Sequence, residues 1–337
     1  MPKEAMFYDK LAGSAVECFL CNHRCKIANG KLGICQVRQN IEGKLYSLSY
    51  GKVVSTNLDP IEKKPFFHML PGSNSFSIAA IGCNFRCGFC QNWEISQAEE
   101  AKRLGIESHD IAAEDVVNRA QECGAGSISC TYTEPTIFFE YAYDVAKIAE
   151  QKGLYVNFVT NGYISSQAIE TIRPYLDACN VDLKSFSDEF YQKVCGARLE
   201  PLLDSIRAMK RLGLWLEITT LLIPGMNDSE EEFEQMAEFI ASLGKETPWH
   251  ISRFHPDYKM TDKSPTTLAS LRKAAEIGRK AGLYYVYVGN VPGEGEDTFC
   301  YNCKKPIIKR MGFSILEYKL KGYKCSYCGA TIHGIFD

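Results

Sequence analysis

Three cysteines within eight residues, Cys83, Cys87 and Cys90 in the run AAIGCNFRCGFCQNW, are the side chains whose type and spacing point most directly to chemistry. A 4Fe–4S cluster ordinarily takes four thiolates. Three on one loop, with no fourth nearby, would ligate three irons and leave one open. An open coordination position marks a reactive metal site as opposed to a structural one. Gly82 and Gly88 relieve steric limits where the backbone must wrap close to inorganic sulfide. Phe89 would present an apolar face to a cluster whose potential responds to burial. The competing readings are three unrelated buried thiols, or zinc completed by a distant His or Cys.

Eight further cysteines fall in two groups. Cys300, Cys303, Cys325 and Cys328 form two CxxC knuckles, a spacing that suits tetrahedral zinc in a small module, with an auxiliary iron–sulfur cluster as the alternative. Cys18, Cys21, Cys25 and Cys35 are more loosely spaced, with His23 as a spare ligand, and fit zinc or an auxiliary cluster. Cys123, Cys130, Cys179 and Cys195 are scattered. Cys123 and Cys179 read as small buried hydrophobes, while Cys130 and Cys195 lie near motif residues.

Most of the 15 cysteines of this 337-residue chain thus count as metal ligands, which favours a reducing cytoplasm over a disulfide-bonded secreted fold. The N-terminus lacks a signal-peptide apolar region, and no apolar run is long enough for a membrane span. A net charge of −3 argues against coating nucleic acid by bulk electrostatics.

The elements that must position the three-cysteine loop follow from periodicity. Apolar runs at 76–82, 127–132, 155–160, 179–184, 214–222 and 249–254 alternate with amphipathic helical stretches, and a Tyr-rich strand, YYVYVGN, follows. Six strand–helix repeats imply an α/β fold with a parallel sheet, either an incomplete barrel or a doubly wound sheet. Both place active sites at the C-terminal ends of the strands. That rim collects the thiol loop, CTYTEPT (130–136), TNG (160–162), DLK (182–184) and FHP (254–256). SEEEF opens one helix with a capping-box pattern, Ser229 with Glu232. The expected division is an N-terminal Cys-rich module over 1–75, a core over 76–298 and a zinc-ribbon-like module over 299–337. The last carries seven basic residues against two acidic ones.

The CxxxCxΦC loop after a first strand resembles that of radical SAM enzymes, which implies a partial (β/α)6 TIM barrel, a 4Fe–4S cluster and S-adenosylmethionine. Reductive cleavage of that molecule would yield methionine and a 5′-deoxyadenosyl radical that abstracts hydrogen from a substrate. By the resemblance, CTYTEPT stands where these enzymes carry a GGEP-like segment for the methionyl amino group, with Tyr132 and Thr133 replacing its glycines. Glu134 with Thr131 and Thr133 would then bind the ammonium. TNG, DLK and FHP resemble the activating enzymes of glycyl radical enzymes, making Asn161, Asp182, Lys184 and His255 candidates for the ribose and carboxylate, with Phe89 beside the cluster. Val288, Gly289 and Asn290 could reach adenine. Activating enzymes commonly carry an aspartate before TNG where this chain has Val159.

Across nearly its full length the chain resembles the radical SAM component of the AmmeMemoRadiSam system, a family related to pyruvate formate-lyase activating enzymes. The resemblance implies an AMME-type or Memo-type protein partner and an electron donor such as ferredoxin or flavodoxin. Radical modification of RNA or a small metabolite, and a non-enzymatic iron–sulfur or zinc scaffold, are the alternatives.

Overall fold

The computed structural model describes residues 2–337. Its centre is a nine-stranded open sheet. The strands are β1 (Lys52–Pro60), β2 (Asn74–Ala80), β3 (His109–Asp110), β4 (Ser127–Cys130), β5 (Tyr155–Thr160), β6 (Ala178–Asp182), β7 (Trp215–Leu222), β8 (Trp249–Arg253) and β9 (Val286–Gly289), in the order β9-β8-β7-β6-β5-β4-β2-β1-β3. The seven strands from β2 to β9, β3 excepted, run parallel, as strands joined by crossover helices must. β9 and β2 are not paired, so the barrel stays open. The fold is the α/β partial barrel expected from periodicity, with a seventh parallel strand after the six repeats.

β1 reads poorly as a strand in the sequence, yet it pairs antiparallel along the whole of β2. It gives the first barrel strand a neighbour on its outer edge, where unpaired backbone groups would otherwise lie open.

The helices begin and end where local chemistry dictates. Ser229 caps Glu230–Leu243 by accepting from the Glu232 N–H at 3.2 Å. The box closes only halfway: the Glu232 carboxylate accepts instead from Ser185 Oγ and from Phe186 N–H at 2.7 Å, fixing the turn after β6. Thr267 caps Leu268–Lys280 two residues beyond Pro265.

Facing strands also carry a buried polar ladder that apolar periodicity does not reveal. Ser75 and Ser129 hydroxyls meet at 2.6 Å, Ser129 donates to Asn157 Oδ1 at 2.7 Å, and Thr219 donates to Asn180 Oδ1 at 2.7 Å. Each member has a partner, as burial requires.

Two small antiparallel sheets precede the barrel, Lys3–Glu4 with Lys44–Ser47 and Arg38–Ile41, and Tyr8–Lys10 with Val16–Cys18 and Cys25–Ile27. At the other end, Thr298–Phe299, Pro306–Met311 and Ser314–Tyr318 form a third. It packs on the segment between β1 and β2: buried Arg310 lies 4.2 Å over the Phe67 ring, donates to Phe67 O at 2.9 Å and faces Glu62 at 3.5 Å. Among the described residues no helix is long and apolar enough to cross a membrane.

Candidate active site

The thiol loop leaves β2 through Gly82, whose φ of +113° lies where glycine is favoured. A Cβ there would stand 3.2 Å from Cys35 O and 3.0 Å from Val37 Cγ1, so the loop also needs glycine to seat against the N-terminal module. Cys83, Cys87 and Cys90 open onto one cavity of about 510 Å³ at the C-terminal ends of the strands, a volume typical of small-molecule and cofactor sites.

Polar groups hold the thiols. Phe85 N–H points at Cys83 Sγ (3.3 Å), Asn161 Nδ2 lies 3.7 Å from the same sulfur, and Ser96 Oγ is 3.2 Å from Cys90 Sγ. Burial and the neighbouring Glu134 carboxylate push the Cys83 thiol well up. Cys87 is raised well above the usual range by the neighbouring Cys195 thiol and then by burial, and burial raises Cys90. As neutral thiols these three would give up protons on binding iron, which requires thiolates.

Phe89, Thr131, Thr133, Glu134, Asn161, Asp182 and Lys184 line the same cavity, as do Val159, Val288, Gly289 and Asn290. Lys184 Nζ pairs with Asp182 Oδ2 at 2.8 Å and stands 5.7 Å over the Phe89 ring. Burial would depress the lysine, but the Asp182 carboxylate outweighs it and holds its pKa well above the ordinary value. The cavity therefore keeps a cation beside the thiol loop.

Glu134 is buried, and its oxygens are already engaged. Oε1 accepts from Thr136 N–H (3.0 Å), Thr136 Oγ1 (2.6 Å) and Thr160 Oγ1 (2.7 Å), while Oε2 accepts from Asn161 N–H (2.8 Å). It ties TYTEP to TNG. Thr133 Oγ1 donates to Ala80 O at 2.7 Å, which ties the same turn to β2. His255 is not brought into the cavity: it is exposed, with the Gln91 amide 3.2 Å from its ring nitrogens.

Several further residues join the site, most of them without a motif to announce them. His250 lines the cavity from β8, with Nε2 2.6 Å from Glu217 Oε2. Glu217 also accepts from Phe67 N–H (3.0 Å) and His68 N–H (2.8 Å). Burial pushes its pKa up, but the interaction with His250 and the backbone N–H of Phe67 outweigh that and leave it lowered. Tyr132 donates to Asp59, which is also held by Lys64 at 2.6 Å, and Lys64 Nζ stands 4.2 Å over the Tyr132 ring. The φ of Tyr132, +64°, is left-handed, a conformation that favours glycine. Cys195 is a neighbour of Cys87 although it lies far along the chain, and it acts to raise that thiol.

The second thiol constellation stands apart from the cavity. Sγ atoms of Cys300, Cys303, Cys325 and Cys328 all lie within 4.8 Å of one another. Burial raises Cys300 to about 12, whereas the Ala330 backbone N–H draws Cys328 down to about 6.

An open parallel barrel with three loop thiols, a carboxylate-paired lysine and a polar rim in one cavity defines a radical SAM fold and site. The chain belongs to the radical SAM superfamily, whose pattern matches residues 78–240. Along 98% of its length it is 44% identical to uncharacterized protein MJ0808 of Methanocaldococcus jannaschii, again over 98% of that protein. It is 22% identical to pyruvate formate-lyase 1-activating enzyme of Escherichia coli over 177 residues, 52% of this chain and 71% of that one. A radical SAM methyltransferase structure from Sphaerobacter thermophilus shares the fold, with a TM-score of 0.50 at 16% identity over 66% of this chain and 70% of that one. The chain is accordingly a radical SAM enzyme, and membership implies a 4Fe–4S cluster and S-adenosylmethionine.

Proposed function

We propose that this enzyme acts on a residue of a protein partner, in the manner that the name of its activating-enzyme relatives describes. The observation that carries the reading is the C-terminal hairpin. Gly312 and Phe313 at its tip line the cavity, while Met311, Phe313, Leu316 and Tyr318 are between 42% and 60% exposed. Apolar side chains gathered at the mouth of a site mark an interaction surface, and Met and aromatic residues are enriched in protein interfaces. By family resemblance the partner is an AMME-type or Memo-type protein, and the electron donor a ferredoxin or flavodoxin.

When bound, the cluster and S-adenosylmethionine supply a 5′-deoxyadenosyl radical that removes a hydrogen atom. The chain's residues are assigned around that chemistry. Cys83, Cys87 and Cys90 would hold three irons, and Phe89 shields them. Lys184, oriented by Asp182, would pair with the methionyl carboxylate. Thr131, Thr133 and Asn161 would face the polar part of the ligand, and Val288, Gly289 and Asn290 the adenine. Because its acceptors are engaged, we assign Glu134 the positioning of Thr160 and Asn161, not direct contact. The C-terminal four thiols would hold zinc: Sγ pairs at 3.7 and 3.8 Å match a tetrahedral ion, whose thiolates lie about 3.8 Å apart for bonds of ~2.3 Å. Clustered thiolates of this kind belong in the reducing cytoplasm.

Perdeuterated partner incubated anaerobically with the loaded enzyme tests the reading. Deuterium should enter 5′-deoxyadenosine, and Leu316→Asp should cut that transfer roughly tenfold, the cost of an interface anchor. Turnover with no deuterium from protein, or deuterium arriving from RNA or small molecules, would contradict it.

A further inference from the structure

Cys18, Cys21, Cys25 and Cys35 do not form a second copy of the C-terminal site. All four are free thiols, and they surround a small enclosed cavity whose remaining wall includes Leu20, Ile27, Ile137 and Arg38. Among the described residues, only the C-terminal quartet offers three or more ligand atoms mutually within 4.8 Å. The N-terminal four are therefore spread more widely than one tetrahedral ion allows. The Cys83, Cys87 and Cys90 trio is spread in the same way. Thiolates on separate irons are held apart by the metal–metal separation, so this wider spacing suits several metals and not one.

The space between the thiols agrees. The cavity has about 10 Å³ of room for the centre of a water-sized sphere, enough for roughly one water. Four sulfurs drawn in to ~2.3 Å around a zinc ion leave no such room.

A donor beside the thiols points to a sulfur-rich anion. Arg38, 2% exposed, spends Nη1 and Nη2 on Glu140 (3.2 and 2.9 Å) and Met6 O (2.5 Å). Its Nε, on the residue that walls the cavity, is buried without a partner. A buried donor left unpaired is costly, and an anionic cluster beside it would supply the acceptor.

We propose that Cys18, Cys21, Cys25 and Cys35 ligate a second, polynuclear iron–sulfur cluster, a centre held by four thiolates and distinct from the one at the Cys83 loop. The two sulfur cages are neighbours. Asn84, next to Cys83, contributes to the wall of the N-terminal cavity, and its carbonyl lies 2.8 Å from His23 Nε2. The N-terminal cavity shares no lining residue with the large one. A cluster there sits behind the active loop, in roles that need no contact with substrate.

Metal counting on anaerobically reconstituted full-length protein tests this without reference to turnover. A Cys83→Ala/Cys87→Ala/Cys90→Ala variant should retain about a third to a half of the wild-type iron, for a two- or four-iron cluster beside a four-iron one. It should show a paramagnetic signal on reduction and keep one zinc per chain. Cys21→Ser/Cys25→Ser should lose that fraction and keep the rest; if it fails to fold, the first variant still decides. An iron-free triple variant, whether with two zinc ions per chain or with one, would overturn the proposal.

Discussion

Glu134 shows how much one buried carboxylate can organise. Its four accepted hydrogen bonds join two loops that arrive from different strands, and burial raises its pKa in spite of them. In Glu134→Gln an amide nitrogen would face either Asn161 N–H or the Thr donors, replacing an acceptor with a donor. The expected cost is about 1–3 kcal/mol of stability, together with weaker S-adenosylmethionine binding because Asn161 moves. Melting and equilibrium binding measured on the same preparation check this, and unchanged values for both would contradict it. At this scale, legibility depends on whether a residue sits in a short motif. Cys83, Asn161 and Lys184 stand in runs that follow an apolar strand, so their placement on the rim can be read in advance. His250 cannot be found this way, because an inward histidine on a strand looks like a core residue until Glu217 is seen opposite it. Cys195 reaches Cys87 only through folding.

Strand ends and the turns after them decide whether those residues converge. Gly162 closes the TNG turn at a φ of +71°, and a Cβ there would stand 2.6 Å from Leu202 Cδ1 and 2.7 Å from Val181 Cγ1. Gly162→Ala therefore combines a left-handed backbone with a steric clash between β5, β6 and the helix Leu199–Arg211. The loss should be about 2–4 kcal/mol, read as a lower denaturation midpoint with an unchanged denaturant slope; a loss below the error of measurement would contradict the packing described. The parallel strands are legible because each is a bounded apolar run followed by a helical pattern, and their observed limits fall within two residues of expectation. β1 is not, since its polar residues alternate with few apolar ones and its pairing is settled by β2, not by its own sequence. Glu232 makes the same point for helices: its spacing from Ser229 signals a cap, but the stronger partner lies across space at Ser185.

At the scale of the whole molecule, a buried junction ties three regions together. His68, between β1 and β2, has Nδ1 2.7 Å from His333 O and Nε2 2.6 Å from the Tyr287 hydroxyl of β9. The carbonyl can only accept, so Nδ1 carries the proton and Nε2 accepts from Tyr287. Burial lowers this histidine from its ordinary 6.5 to about 4. Because the folded value is depressed, the neutral ring contributes its full stability above pH 6.5 and loses it as pH falls towards 4. A decline on the order of 3 kcal/mol is expected across that window, and His68→Gln should flatten the dependence of melting temperature on pH there; identical profiles would contradict the assignment. No sequence motif announces this junction, since its members lie 219 and 265 residues apart. The central claim concerns the thiol loop. Anaerobic protein, loaded with iron and sulfide and supplied with S-adenosylmethionine and a one-electron reductant, should release 5′-deoxyadenosine well above a Cys87→Ser control. Equal yields from the two would contradict radical chemistry at this site.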